Sequence, residues 1–258
     1  MTASTVADMG ELVHLVIAER VATITLDSQH NRNALSSQLM DELGSCLDDS
    51  EAADVRVIVL RHEGPAFCAG ADLKERAAGS GRRDSNPMVD VLRTLMDTAR
   101  PTIAAVDGAV RAGGIGLMAA CDLVVVHRAV NFAFTEVRLG LAPAIISVPI
   151  LRRVPAAKIA SAMLTGDTFD ADYACEIGLV THLSDDVSAT VGSLCDDVRS
   201  GAPDAVAETK RLLHRVPTLD RDAAFGEMQA LSDEMFLGLD AAEGMAAFRE
   251  KRAPIWPD

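Results

Sequence analysis

Apolar residues between Leu12 and Leu26 form two β-rich runs interrupted by Glu19-Arg20, a pattern that predicts a hairpin. A polar loop, Asp27 to Asn33, follows it. Leu39, Met40, Leu43 and Leu47 then recur at the spacing of one helix face, and Val55 to Leu60 is a short continuous apolar run that predicts a buried strand. The order repeats. Ile103 to Val106 leads into a glycine-rich turn, and Leu123 to Val126 leads into a third crossover around Phe134-Thr135-Glu136. Strands alternating with helical crossovers predict an α/β fold. Ala78 to Pro87 is polar and contains glycine, so a mobile loop is expected there, and residues 1–10 are expected to fray.

Past residue 195 the strand signals fade, and Pro203–His214, Arg221–Leu237 and Ala241–Arg252 read as helices. Met228, Leu231, Met235 and Phe236 give them more apolar surface than isolated helices tolerate in water, so they must pack on the core or on another subunit. The expected organisation is a core of residues 1–195 with a helical region at 196–258.

Composition narrows the function. A chain of 258 residues, 49% of them hydrophobic, can bury a sizeable core. Its net charge of −14 would repel nucleic acid and anionic membrane surfaces, so an anionic ligand would need a focused basic site. The start of the chain lacks a secretory pattern and no apolar stretch is long enough to span a bilayer, which points to a soluble, cytoplasmic protein. Cys46, Cys68, Cys121, Cys175 and Cys195 are scattered without CxxC spacing, and reduced, mostly buried thiols are expected. The six histidines show neither HxxxH nor HExxH spacing, and Ser147 lacks the elbow of a nucleophilic serine, so neither a metal nor a serine nucleophile is expected.

Two glycine-rich turns stand out, Phe67-Cys68-Ala69-Gly70-Ala71-Asp72 and Ala112-Gly113-Gly114-Ile115-Gly116, each after an apolar run and before a helix-like one. Such turns can aim two backbone N–H groups at one point, which is what a thioester oxygen needs as it gains negative charge. The alternative is that Gly70, Gly113 and Gly114 merely allow close packing.

With Asn31-Arg32-Asn33-Ala34-Leu35-Ser36, Ala105-Val106-Asp107-Gly108, Cys121-Asp122 and Thr135-Glu136-Val137-Arg138-Leu139-Gly140-Leu141, the two turns resemble the crotonase (enoyl-CoA hydratase/isomerase) superfamily from about Leu12 to Trp256. The resemblance implies a spiral of ββα units with C-terminal helices that support trimers or hexamers. It implies an acyl-CoA thioester as substrate, with no cofactor beyond the CoA the substrate carries. The N–H groups of Ala71 and Gly113 would form the oxyanion hole, and Glu136 would exchange a proton with the substrate α-carbon. CoA would lie along Cys68, Ala69, Gly70, Ala71, Asp72 and Leu73, near Arg32 and Ala34, beside Gly114 and Gly116, with Lys251 and Arg252 toward its 3′-phosphate. For Glu136 the alternative is a surface carboxylate paired with Arg138; for Lys251 and Arg252 it is a solvated helix end. Asp72 and Asp122 are expected to fix turns and helix starts.

Gly116 departs from the pattern. In two-glutamate hydratases this position carries the second carboxylate, and glycine cannot move a proton. Either Glu136 works alone, an acid from the Glu75–Asp84 loop substitutes, or water is not the reactant. A single base suffices to move a double bond from the 3- to the 2-position, yet the surrounding residues look like members classed as 2-enoyl-CoA hydratases, and hydration is the reading favoured. A non-catalytic acyl-CoA binder, or the hydrolase, decarboxylase and dehalogenase reactions of the same scaffold, are the alternatives. Gly116 is expected to leave extra room for the acyl chain.

Overall fold

The chain opens on the hairpin its pattern predicts: β1 (Val13–Ala18) and β2 (Val21–Leu26) pair antiparallel, with Val13 opposite Leu26. Glu19 and Arg20 turn the corner at φ 49° and 61°, the left-handed values a two-residue hairpin turn needs at both central positions. The computed structural model describes residues 10–77 and 86–256. All but the last residue of the expected frayed tail at 1–10, and all but the last two residues of the expected loop at 78–87, lie outside the described residues. Helix α1 (Ser37–Ala52) starts where the Ser36 side chain accepts the Leu39 N–H, and it buries Leu39, Met40, Leu43 and Leu47.

Three units then repeat one pattern. The first runs β3 (Val57–His62), β4 (Ala66–Cys68), α2 (Leu73–Ala77) and α3 (Pro87–Asp97); the second runs β5 (Thr102–Val106), β6 (Ala109–Arg111) and α4 (Gly113–Ala120). The third runs β7 (Leu123–His127), β8 (Asn131–Ala133), a 3-10 turn at Glu136–Leu139, α5 (Ser147–Arg153) and α6 (Ala156–Thr165). The chain continues through β9 (Phe169–Asp170), α7 (Ala171–Glu176) and β10 (His182–Ser184). In each unit the first strand joins a six-stranded sheet ordered β1-β2-β3-β5-β7-β10, and the second joins a four-stranded sheet ordered β4-β6-β8-β9. The chain therefore winds between two sheets, which is the spiral of ββα units the resemblance implies.

The larger sheet is covered on both faces. Ile58 and Leu60 enter the main core with Leu39, Leu43 and Phe67, while Val57 and Val59 meet Val187, Val191 and Cys195 of α8 (Val187–Ser200). A strand buried on both sides reads as an unbroken apolar run, so β3 shows no alternation. It begins two residues later than its run, because Val55 donates its N–H back to Ala53 in a turn.

After α8 come α9 (Pro203–Arg215), α10 (Arg221–Leu237) and α11 (Leu239–Glu250), close to the three helices predicted. The helical part begins at Val187, so residue 195 falls inside α8 and not at a boundary between elements. Helix α9 is pinned to the core by Lys210, whose buried ammonium lies 2.8 Å from the Asp122 carboxylate and donates to the Leu95 and Arg100 carbonyls. Burial opposes the Asp122 charge, but His214, Lys210 and the Thr102 N–H outweigh it and hold the carboxyl below its ordinary range. Asp122 thus has a structural role, anchoring strand β5 and helix α9 in place of the expected turn or helix start. By contrast α10 buries none of its residues, and Phe225, Phe236, Leu237, Leu239 and Phe248 are exposed.

His62 closes β3. Its Nε2 accepts the Asp107 N–H at 3.1 Å, so the neutral ring keeps its proton on Nδ1, and it meets Phe67 edge-on. Burial lowers its pKa from 6.5. Below that value the unfolded chain binds more protons than the folded one, so the stability His62 supports is complete above pH 6.5 and declines as pH falls toward the folded pKa. The melting temperature is expected to drop over this window, and the drop to shrink in His62→Gln; an identical slope in both proteins would refute the assignment.

Candidate active site

The two glycine turns leave neighbouring strands at the same end, because β4 and β6 pair in parallel. They touch: Gly70 has φ 89°, and a Cβ placed there would lie 2.9 Å from the Ala112 Cβ and 3.4 Å from the Arg111 carbonyl oxygen. Ala112 has φ 47° and ψ −117°, outside the regions open to ordinary residues. Its N–H donates to Ala133 and its carbonyl accepts from Ile115, bonds that hold this strained corner. Gly113 follows as the first residue of α4, so its N–H is among the four without an acceptor inside the helix.

Ala71 forms an isolated parallel bridge with Leu35. The bridge uses the Leu35 N–H to Gly70 and the Asp72 N–H to Leu35, leaving the Ala71 N–H outside the pairing. The Leu35 side chain also stands where a Gly113 side chain would start, its Cδ1 2.6 Å from that point. One residue therefore joins the Ala71 and Gly113 turns, a role that nothing but its place between Ala34 and Ser36 could have signalled.

Arg32 and Asn33 take left-handed backbones, with φ 60° and 54°. The buried Asn33 side chain accepts the Ser28 N–H and donates to the Glu63 and Ala66 carbonyls. Ala69 donates its N–H to Arg32, and Asn31 accepts from Ala34 and donates to Asp72. The segments expected to line CoA, Arg32–Ala34 and Cys68–Leu73, are thus laced together. Asp72 accepts the Glu75 and Lys74 N–H groups at the start of α2, and the Glu75 N–H is the chief reason its carboxyl lies below the usual value. Glu75 itself accepts both the N–H and the hydroxyl of Ser37, tying α2 to α1. It is committed there, and Asp84 lies outside the described residues.

Some candidates are packing residues. Cys68 is buried, with its thiol pushed up to about 12, and it fills the space a Gly114 side chain would need, 2.6 Å from that Cβ position. Gly114 is therefore explained by close packing. Gly116 leaves no extra room, contrary to expectation. A Cβ on it would lie 2.6 Å from the Ile146 Cβ and closer still to its Cγ2, so Ile146 already occupies the space. The replacement comes from thirty residues along the chain, where no sequence spacing announces it. Lys251 caps α11 in a left-handed conformation, and Arg252 is held by Glu243 and Glu250. Among the described residues, no hydrogen bond or ion pair links this end to the Cys68–Leu73 turn.

Glu136 begins the 3-10 turn three residues after Ala133, the strand residue that accepts the Ala112 N–H. It is not paired with Arg138, whose guanidinium goes to Asp167 and the Thr165 carbonyl. Its Oε2 is buried and has no hydrogen-bond partner among the described residues. Desolvation raises its pKa above the ordinary 4.5, against a smaller pull from its own N–H. A half-buried carboxyl with a free oxygen and a raised pKa has the properties of a proton carrier.

The family model for enoyl-CoA hydratase/isomerase matches residues 17–258. The chain belongs to the enoyl-CoA hydratase/isomerase family. It is 35% identical over 244 residues to a putative enoyl-CoA hydratase of Thermus thermophilus, covering 91% of this chain and 96% of that one. A solved enoyl-CoA hydratase of Mycobacterium smegmatis superposes with a TM-score of 0.87 at 30% identity, covering 95% of this chain and 98% of that one. Another, from Mycobacterium avium, is 41% identical with a TM-score of 0.72, covering 95% and 99%. As a member of the hydratase/isomerase family the chain is an enzyme, with the crotonase fold and its C-terminal helices.

Proposed function

We propose that this family member is an enoyl-CoA hydratase that works with one carboxylate. A 2-enoyl-CoA thioester would place its carbonyl oxygen against the Ala71 and Gly113 N–H groups, with the positive end of α4 behind the developing charge. Glu136 would carry the proton that ends on the α-carbon. CoA would run along the laced Arg32–Ala34 and Cys68–Leu73 segments, and nothing beyond the CoA of the substrate is proposed as cofactor. The observation that carries this reading is the Glu136 carboxyl, half-buried, raised in pKa and with a free oxygen, three residues along the chain from the Ala133 carbonyl that holds the second of two touching glycine turns. A mere binder of acyl-CoA has no need of such a group.

One observation favours a second reading, migration of a 3-enoyl double bond to the 2-position: position 116 supplies no second carboxylate and Ile146 fills its place. Incubation with 2-enoyl- and 3-enoyl-CoA thioesters, with products resolved by mass, separates the two. Hydration adds a water, and migration leaves the mass unchanged. No product from either series would refute the proposal.

Trimers, alone or paired as hexamers, belong to the same proposal. Phe225, Phe236, Leu237, Leu239 and Phe248 are exposed apolar side chains that a second copy would cover. Light scattering at micromolar concentration is expected to give the mass of three or six chains, and a monodisperse monomer would refute it. A cytoplasmic location is also proposed, supported by five cysteines that are all unpaired. Among the described residues no helix is long and apolar enough to cross a membrane.

A further inference from the structure

Helix α2 follows the Ala71 turn directly and has five residues, far short of the roughly 12–15 at which a helix holds itself in water. Leu73, Lys74 and Ala77 are exposed, so the packing of these side chains does not fix it either. Polar contacts do. At its start Asp72 accepts the Lys74 and Glu75 N–H groups at 3.0 and 3.1 Å and the Asn31 amide at 3.2 Å. Further on, the Glu75 carboxylate grips Ser37, taking its N–H on Oε2 at 2.8 Å and its hydroxyl on Oε1. Ser37 is the first residue of α1, where N–H groups lack acceptors inside the helix and a negative charge suits the dipole. The short helix is thereby fastened to the start of a long one.

Between these two ties lies the bridge of Leu35 and Ala71. Its backbone bonds are unequal: Leu35 donates to the Gly70 carbonyl at 2.8 Å, whereas Asp72 donates to the Leu35 carbonyl at 3.5 Å, beyond the ordinary range. The side of the bridge that follows Ala71 is thus the weaker, and it is the side on which Glu75 meets Ser37. On the acyl-CoA reading proposed above, which this inference deepens, we infer that Glu75 is a positioning residue. Its grip on Ser37 holds the chain after Ala71 against the chain after Leu35, and so keeps the Ala71 N–H aimed at the thioester oxygen. It moves no proton in the reaction. Hydrogen bonds weaken steeply as alignment is lost, and a donor fixed beforehand serves a developing oxyanion better than one that must be reoriented. The contribution of Glu75 is therefore felt in the transition state more than in the binding of the CoA ester.

The test is steady-state kinetics on whichever enoyl-CoA series the wild-type enzyme converts, with folding checked by circular dichroism. Glu75→Ala removes both ties to Ser37 and should lower kcat at least about 10-fold, a part of the about 10²–10³ lost with a whole donor, while KM changes less than kcat. Glu75→Gln keeps both ties, its carbonyl oxygen accepting the Ser37 N–H and its amide donating to the Ser37 hydroxyl. It should recover most of the loss, with the acid limb of the pH profile unmoved. Ser37→Ala removes one tie, should cost less than Glu75→Ala, and should add nothing to it in the double variant. Wild-type kcat in folded Glu75→Ala, or a defect confined to KM, would overturn the inference. So would a Glu75→Gln enzyme as slow as Glu75→Ala, which would make Glu75 a proton carrier. Where Glu75→Ala does not fold, Ser37→Ala decides: a lowered kcat at steady KM supports the inference and an unchanged kcat overturns it. Failure of the underlying reading shows elsewhere, in a wild-type enzyme that converts neither the 2-enoyl nor the 3-enoyl series.

Discussion

Glu136→Gln is expected to abolish exchange of substrate α-protons with solvent deuterium while leaving CoA-ester binding close to wild type. Glutamine keeps the size and the hydrogen-bonding ends of the side chain but takes up no proton, so a loss of about 10²–10⁴-fold in turnover follows from removing a single acid–base group. Position 116 has no carboxylate to take over, and Glu75 is held by Ser37. The same substitution has a stability signature. The folded pKa of Glu136 lies above its unfolded value, so the stability of the protonated form is fully present below about pH 4.5 and is lost as pH rises through the folded pKa. The glutamine variant should therefore melt higher than wild type at neutral pH, with the difference closing in acid. Activity should show the matching limb: turnover needs the carboxylate, so it should fall off in acid at a pH above 4.5. Wild-type exchange in the variant would remove Glu136 from the chemistry.

What the sequence revealed and what it hid follow from the length and partners of each element. Helix α1 was legible because its buried residues recur from Leu39 to Ser50, over about three turns, and the β1–β2 hairpin because two runs flank two turn residues. The smaller sheet was not, since β6 and β8 have three residues each and β9 has two, too few to express any period. Helix α8 went unread although Val187, Val191 and Cys195 lie on one face, because that stripe packs on a strand already counted as buried. At the candidate site the glycines announced turns, but not which neighbour each must accommodate. Cys68 explains Gly114, Leu35 explains Gly113 and Ile146 explains Gly116, and each partner lies 30 or more residues away. The backbone of Ala112 is the clearest omission: a positive φ at alanine carries no sequence signal at all.

Gly113→Val is expected to lower turnover by at least about 10²-fold, the usual cost of losing one oxyanion-hole donor. The new side chain starts 2.6 Å from the Leu35 Cδ1, the far end of a flexible side chain, so the protein is expected to fold with Leu35 displaced. That displacement gives the loss two separable causes. If the valine acts by crowding the thioester oxygen away from the Gly113 N–H, removing the clash with Leu35→Ala will not restore activity, and KM for the acyl-CoA will change less than kcat. If it acts by pushing Leu35 out of its bridge to Ala71, Leu35→Ala alone should reproduce the defect and the two substitutions should be far from additive. A hole built at Gly113 requires the first pattern. Full activity in a folded Gly113→Val enzyme would place the developing charge somewhere other than the start of α4.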